Sequence, residues 1–212
     1  MRKASGPMAF MRGLTFPGGQ LPVLSGQGVY LRYPRMSDYP SWNALRSESR
    51  EFLTPWEPSW LSDELTKRAF RRRLKRYSKE ARLDTAYAFF VFRREDDALL
   101  GGCNLASVRR GVAQSCALGY WIGEPFARRG FMFDAVRALI PFVFATLGLH
   151  RLEAACLPTN EPSRNLLVKA GFRQEGLARS YLRINGQWCD HVLFALLAQE
   201  VEPTLQSAVK PE

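Results

Sequence analysis

Two stretches of this sequence hold residues whose type and spacing suit the handling of an anionic ligand. Leu118 to Val136 runs as a strand, a short loop containing Arg128, Arg129 and Gly130, and then a helix. The first turn of a helix leaves N–H groups without intrahelical acceptors, and these groups together with the helix dipole attract phosphate oxygens. Gly130 lets a ligand approach the backbone closely, although a glycine there equally caps or bends the chain. Further on, Asn160 and Ser163 lie one turn apart at the start of a predicted helix, the pattern of an N-cap with a partner hydroxyl. Cys103, Cys116, Cys156 and Cys189 are scattered without a CxxC pair, with only His150 and His191 to join them, so no metal site is implied and the thiols read as small buried side chains.

Periodicity supplies the elements that must hold these residues. Gly28 to Pro34 alternates and reads as a first strand, after which Ser37 and Asp38 offer capping oxygens for a helix through Trp42, Leu45 and Arg46. FLTPWEPSW, from Phe52 to Trp60, carries two prolines and two tryptophans and predicts a rigid aromatic loop. From Ser62 to Arg82 the apolar set Phe70, Leu74, Tyr77 and Ala81 steps by four, three and four. Lys67, Arg71, Arg72, Arg73, Lys75, Arg76 and Lys79 fill the other positions, which predicts a long amphipathic helix with a basic face. Strands are expected at Ala86–Arg93, Leu99–Val108 and Gln114–Ile122 as an antiparallel meander, then a helix at Phe131–Leu147, a strand at His150–Leu157 and a helix at Glu161–Lys169 ending at Gly171. From Gly176 two strands meet at Asn185-Gly186, a type I′ hairpin signal. This order gives a mixed α/β domain.

A chain of 212 residues suits one domain, and 46% hydrophobic with 24% charged residues excludes disordered or collagenous classes. The longest apolar candidate, Ala138 to Leu149, is broken by Pro141 and Gly148 and falls short of the roughly 18 residues of a membrane span. The start lacks the apolar stretch of a signal peptide. These features predict a cytoplasmic protein with no membrane partner, a loose arm at residues 1–24, a folded domain at 25–198 and a tail at 199–212. The formal net charge of +10 favours salt-sensitive encounters with RNA, ribosomal particles or acidic ligands.

Leu118–Ile122, Gly130, Asn160-Glu161-Pro162-Ser163 and Lys169-Ala170-Gly171-Phe172 together resemble the acetyl-CoA-binding half of the GNAT acetyltransferase superfamily. FLTPWEP, NLASVRRG, LGYWIG, GFMFDA, HRLEA and YLRINGQWCDHVLFAL resemble its RimJ branch, the ribosomal-protein alanine N-acetyltransferases, from about Val29 to Leu197. The resemblance implies a GNAT fold, a central, mostly antiparallel mixed sheet with a splayed middle strand flanked by helices. It implies acetyl-CoA as cosubstrate and no metal, with backbone N–H groups of Leu118, Gly119 and Tyr120 holding the thioester carbonyl and the pantetheine arm. The family's phosphate loop, Q/R-x-x-G-x-G/A, aligns with Ala127-Arg128-Arg129-Gly130-Phe131-Met132, where two of three fixed positions differ and Arg128 and Arg129 would restore the charge.

By the same resemblance Asn160 contacts the pantetheine arm, and Ser163 either protonates the departing thiolate or simply contacts the cosubstrate. Glu57 and Asp190 are the acids that would take a proton through water or bind the ammonium form, each with a structural hydrogen-bonding role as the alternative. Trp56, Trp60, Tyr181 and Trp188 would wall the acceptor cleft or pack the core. The implied acceptor is the N-terminus of an Ala-initiated small-subunit ribosomal protein, with the subunit or its RNA as a partner of the basic helix. A small amine acceptor, or a ribosome-assembly role, is the alternative.

Overall fold

The computed structural model describes residues 22–201, so 1–21 of the expected arm and 202–212 of the expected tail lie outside the described residues. Leu24, which the sequence assigns to the arm, stands in strand β1 (Leu24–Ser25) and pairs antiparallel with β2 (Val29–Arg32). Helices α1 (Tyr39–Glu48), α2 (Arg50–Leu53) and α3 (Lys67–Arg82) follow, then the meander β3 (Tyr87–Arg93), β4 (Leu99–Arg109) and β5 (Ser115–Ile122). Next come α4 (Phe131–Pro141), β6 (Arg151–Cys156), α5 (Glu161–Lys169) and the hairpin β7 (Arg173–Ile184) with β8 (Gln187–Leu197). The eight strands form one sheet in the order β1-β2-β3-β4-β5-β6-β8-β7. Neighbouring pairs are antiparallel apart from β5 and β6, which run parallel. This is the mixed, mostly antiparallel sheet expected from the sequence.

Both faces of the sheet are covered, and the reason is written in β3, where Tyr-Ala-Phe-Phe-Val-Phe is buried throughout. Tyr87, Phe89 and Val91 join the core beneath α4, with Phe142 edge-on to Tyr87 and Phe89 at 5.6 and 5.3 Å. Phe90 and Phe92 point the other way, into a second cluster with Trp42 and Leu45 of α1 and Phe70 of α3. Among the described residues no helix is long and apolar enough to cross a membrane. All four cysteines are free, and Cys103, Cys116 and Cys156 are buried.

Three boundaries differ from the periodicity. The basic helix begins at Lys67 rather than Ser62, because Thr66 is extended and its hydroxyl accepts the Ala69 N–H at 3.2 Å, capping the first turn. Asp63 and Glu64, left in the preceding turn, pair with Arg72 and Arg73. The Phe52–Trp60 segment is helical at its start, since α2 runs to Leu53 and Thr54–Trp56 makes a 3₁₀ turn. Pro55 sits in the first turn of that 3₁₀ segment, where no proline N–H is required. The long helix from Phe131 changes pitch after Pro141, and Phe142–Thr146 is a wider turn closed by the Leu147 N–H on the Phe142 carbonyl. The Asn185-Gly186 turn is as expected, with φ of 42° and 82°.

The start of α4 is tied to the first strands. Asp134 accepts the N–H groups of Gln27 and Gly28 at 2.9 and 2.6 Å. A Cβ on Gly26 would lie 2.7 Å from the same carboxylate, so a larger residue here would push Asp134 off these two N–H groups.

Candidate functional site

The parallel ladder between β5 and β6 starts at Ser115 opposite Arg151 and stops at Leu118 opposite Ala154. Beyond that point β5 stays with β4 as far as Ile122, while Ala155 and Cys156 of β6 stay with β8. The two strands therefore splay, and the facing edges of Gly119–Ile122 and Ala155–Cys156 open a wedge in the sheet. Leu118, Gly119 and Tyr120 occupy the point of divergence, the arrangement in which backbone N–H groups are free of a strand partner on that side.

Into this wedge projects the start of α5. Asn160 caps the helix, its Oδ1 accepting the Ser163 N–H at 3.1 Å. The Ser163 hydroxyl lies 2.7 Å from the Tyr120 hydroxyl. Burial pushes the Tyr120 phenol well above its usual range, so it holds its proton at neutral pH, and the Ser163 hydrogen bond opposes this only in part. Cys156, at the end of β6, is also raised by burial, with the Ser163 hydrogen bond acting against it. A neutral hydroxyl pair of this kind can pass one proton to a leaving thiolate without itself carrying charge beforehand.

The loop before α4 has the geometry of an anion cradle. Arg128 and Gly130 have φ of 60° and 85°, flanking Arg129, so the backbone reverses twice before Phe131 opens the helix. Arg128 and Arg129 are exposed, and the Arg129 guanidinium stands 5.4 Å from the Phe131 ring. Nothing lies within 4 Å of a Cβ built on Gly130, so it is the positive φ that favours glycine here. The Met132 side chain turns inward, 5% exposed, with its sulfur 3.7 Å from Cys103 Sγ. Only its backbone faces the loop. These features fit a pyrophosphate at the helix start with the arm running into the wedge.

On the opposite face of β5, a cleft of about 920 Å³ reaches Gly119 and Tyr120 from the side of α1 and α3. Its floor is made of small residues, Ala88, Gly102, Ala106 and Gly119, and Trp60, Tyr77 and Trp121 stand around it. Arg46 is stacked between Trp60 and Trp121, with its guanidinium 4.2 and 4.9 Å from their rings, and it grips both oxygens of Glu57 at 2.7 Å. Trp60 Nε1 donates to Glu57 Oε2 at 2.9 Å as well. Glu64 and Glu80, the other carboxylates of the cleft, are matched with Arg73 and Arg76.

The residues expected to act together are thus distributed over distinct places. Leu118, Gly119, Tyr120, Asn160 and Ser163 converge on the wedge, with the Arg128–Met132 loop at the neighbouring helix start. Glu57 and Trp60 line the cleft. Asp190 lies on β8, exposed, where it accepts the Ser180 N–H at 2.8 Å beside a bulge of β7. Tyr181 packs its edge on His191, Trp188 is 65% exposed opposite Arg183, and Trp56 closes the 3₁₀ turn; these three lie outside the cleft. The hairpin does touch the Glu57 loop at its tip, where the Asn185 N–H donates to the Glu57 carbonyl at 2.9 Å.

The sequence pattern assigned no site role to the Tyr120 hydroxyl, Asn104 or Trp121, and it read Arg46 only as a position of the first helix. Strand alternation was the signal for two of them, since it sends Tyr120 toward α5 and its neighbour Trp121 into the cleft.

The acetyltransferase (GNAT) domain model matches residues 29–173. The [ribosomal protein uS5]-alanine N-acetyltransferase of Escherichia coli (strain K12) is 36% identical over 169 residues, covering 80% of this chain and 84% of that one. Among solved structures, Mycobacterium smegmatis RimJ in complex with CoA-disulfide superposes with a TM-score of 0.83 at 29% identity, covering 89% of this chain and 93% of that one. The ribosomal-protein-S5-alanine acetyltransferase of Vibrio fischeri gives 0.78 at 27% identity, over 86% of this chain and 100% of that one. With its splayed β5 and β6 and these relatives, the chain belongs to the GNAT acetyltransferase family and is an N-acetyltransferase.

Proposed function

We propose that the protein transfers the acetyl group of acetyl-CoA to the N-terminal α-amine of a protein, an Ala-initiated small-subunit ribosomal protein. The observation that carries this reading is the meeting of two openings at Gly119 and Tyr120, the wedge from one face and the cleft from the other. Arg128, Arg129 and the first turn of α4 hold the pyrophosphate, and Asn160 faces the arm. Backbone N–H groups at Leu118–Tyr120 stabilise the oxyanion that develops on the thioester carbonyl. The amine lone pair forms the new C–N bond and the C–S bond breaks; the Ser163–Tyr120 pair gives the departing thiolate its proton and is reprotonated through water by the proton that the acylated nitrogen sheds. An α-amine has a pKa of about 7.7–8.0, so roughly a tenth of it is neutral near pH 7 and positioning carries much of the rate. The relatives named as alanine N-acetyltransferases support the acceptor. The cleft supports it too: its carboxylates are each matched by an arginine, which leaves little to attract a free polyamine or aminoglycoside. Incubation with acetyl-CoA and a panel of N-terminal peptides, polyamines and aminoglycosides, read by mass, is expected to show the Ala-initiated peptide acetylated first. Preferential acetylation of a small amine would overturn the reading.

A second part of the proposal concerns α3 and a ribosomal partner. Arg72, Arg73 and Arg76 are matched with Asp63, Glu64 and Glu80. Lys67, Arg71, Lys75, Lys79 and Arg82 are exposed and form no salt bridge among the described residues, while Arg68, also exposed, interacts with Asp63 only through space. A helix face of this kind is attracted to the phosphates of RNA. Reversal of Lys67, Arg71 and Lys75 to Glu is expected to leave turnover of a short peptide within about twofold while abolishing salt-sensitive co-sedimentation with small ribosomal subunits. Equal sedimentation of the two proteins across a salt series would make this face a solvated surface only.

A further inference from the structure

Asn104 is the one uncharged amide in the cleft floor, and no hydrogen bond to its side chain is formed among the described residues. Its Oδ1 is shielded from solvent and has no donor. It lies on the cleft face of β4, between Gly102 and Ala106, and its cross-strand partners are Ala88 on β3 and Gly119 on β5. Around it the floor is glycine and alanine, so the amide stands next to the divergence point with no neighbour to answer it. A buried polar group left without a partner is destabilising, and a site that tolerates one gains when a ligand supplies the missing bond.

We propose that Asn104 is the residue that receives the acceptor's α-amine, its amide oxygen taking an N–H of the N-terminal nitrogen beside Gly119. This rests on the reading of the protein as an N-terminal acetyltransferase. As it stands the oxygen is turned away from the open cleft, and the last torsion of an asparagine side chain is soft, so a turn that breaks no existing bond brings Oδ1 to the cleft beside Gly119. A neutral oxygen is also the suitable acceptor. It orients the nitrogen without stabilising the ammonium form as strongly as a carboxylate would, so the lone pair remains available for the thioester carbon. The small floor leaves room for a first side chain the size of alanine's. Trp60, Tyr77 and Trp121 stand around this floor.

The test compares an Ala-initiated peptide with its des-amino counterpart, in which hydrogen replaces the N-terminal amine. In the wild type the amine should strengthen binding by about tenfold or more, measured as KM against the inhibition constant of the des-amino peptide. In Asn104→Ala and in Asn104→Ser that difference should shrink to about twofold, with the KM for acetyl-CoA unchanged. Because the substitution removes an orphan acceptor, the melting temperature of Asn104→Ala should equal or exceed that of the wild type. A structural role would do the reverse, lowering the melting temperature and leaving the amine's contribution intact in Asn104→Ser; that result overturns the assignment. A wild-type protein that acetylates small amines but no N-terminal peptide overturns the functional reading and this inference together. Peptide acetylation with the amine's contribution unaltered by either substitution overturns the inference alone.

Discussion

Ser163→Ala is expected to lower kcat by about a hundredfold or more while leaving the KM for acetyl-CoA within about threefold, the signature of a group that acts in the transition state. The proposed proton path accounts for the size. Ser163 Oγ and Tyr120 Oη are 2.7 Å apart, and burial keeps the phenol protonated at neutral pH. Burial raises the Cys156 thiol and a hydrogen bond with the same serine works against that rise, so the Ser163 hydroxyl stands at the end of β6 where the wedge opens. Removing Ser163 leaves Tyr120 without the partner through which it reaches the sulfur. Tyr120→Phe is therefore expected to reproduce most of the loss, and the double variant should be little worse than either single one, because the two hydroxyls act as a unit. Steady-state kinetics with the Ala-initiated peptide, with pre-steady-state rates to isolate the chemical step, measure this. An effect confined to KM would reduce Ser163 to a cosubstrate contact. Strict additivity of the two variants would separate Tyr120 from the proton path.

What the sequence made legible was local. The α5 start is a single turn, so Asn160 and Ser163 could be paired by counting, and the cap bond is there. The loop from Arg128 to Gly130 is likewise a local matter of a glycine before a helix, and α4 begins where the pattern placed it. The Tyr120–Ser163 contact spans 43 positions and depends on where the β5–β6 ladder ends, which no periodicity encodes. The same limit hid Asn104. Its strand was plain from alternation, but that its neighbours on that face would be alanine and glycine from three strands is a matter of register. Helix ends were misplaced where a side chain outside the apolar pattern decided them. Thr66 as a cap and Asp63 as a partner of Arg72 override the run of polar residues that looked helical from Ser62.

Arg46 and Glu57 show why a carboxylate in a cleft is not by itself a base. Glu57 has Oε1 on Arg46 and Oε2 on both Arg46 and Trp60, and Arg46 is held between two indole rings with only 7% of its side chain exposed. We propose that the pair positions Trp60 and Trp121 as walls of the acceptor cleft. Breaking one side of a largely buried pair costs about 3–5 kcal/mol because the other charge is left uncompensated, and the partial exposure of Glu57 puts the expected loss for Arg46→Met near the lower end. Arg46→Met with Glu57→Leu should recover part of that loss, since an apolar pair of similar volume leaves no orphan charge. Glu57→Gln should be destabilised too, and its kcat/KM for the peptide should fall mainly through KM as the tryptophan walls loosen. A proton acceptor would behave otherwise: Glu57→Gln would keep its stability and lose kcat. Urea unfolding of the four proteins, with peptide kinetics on those that fold, decides between clamp and base. Stability of Arg46→Met within about 0.5 kcal/mol of the wild type would show that the pair holds nothing together.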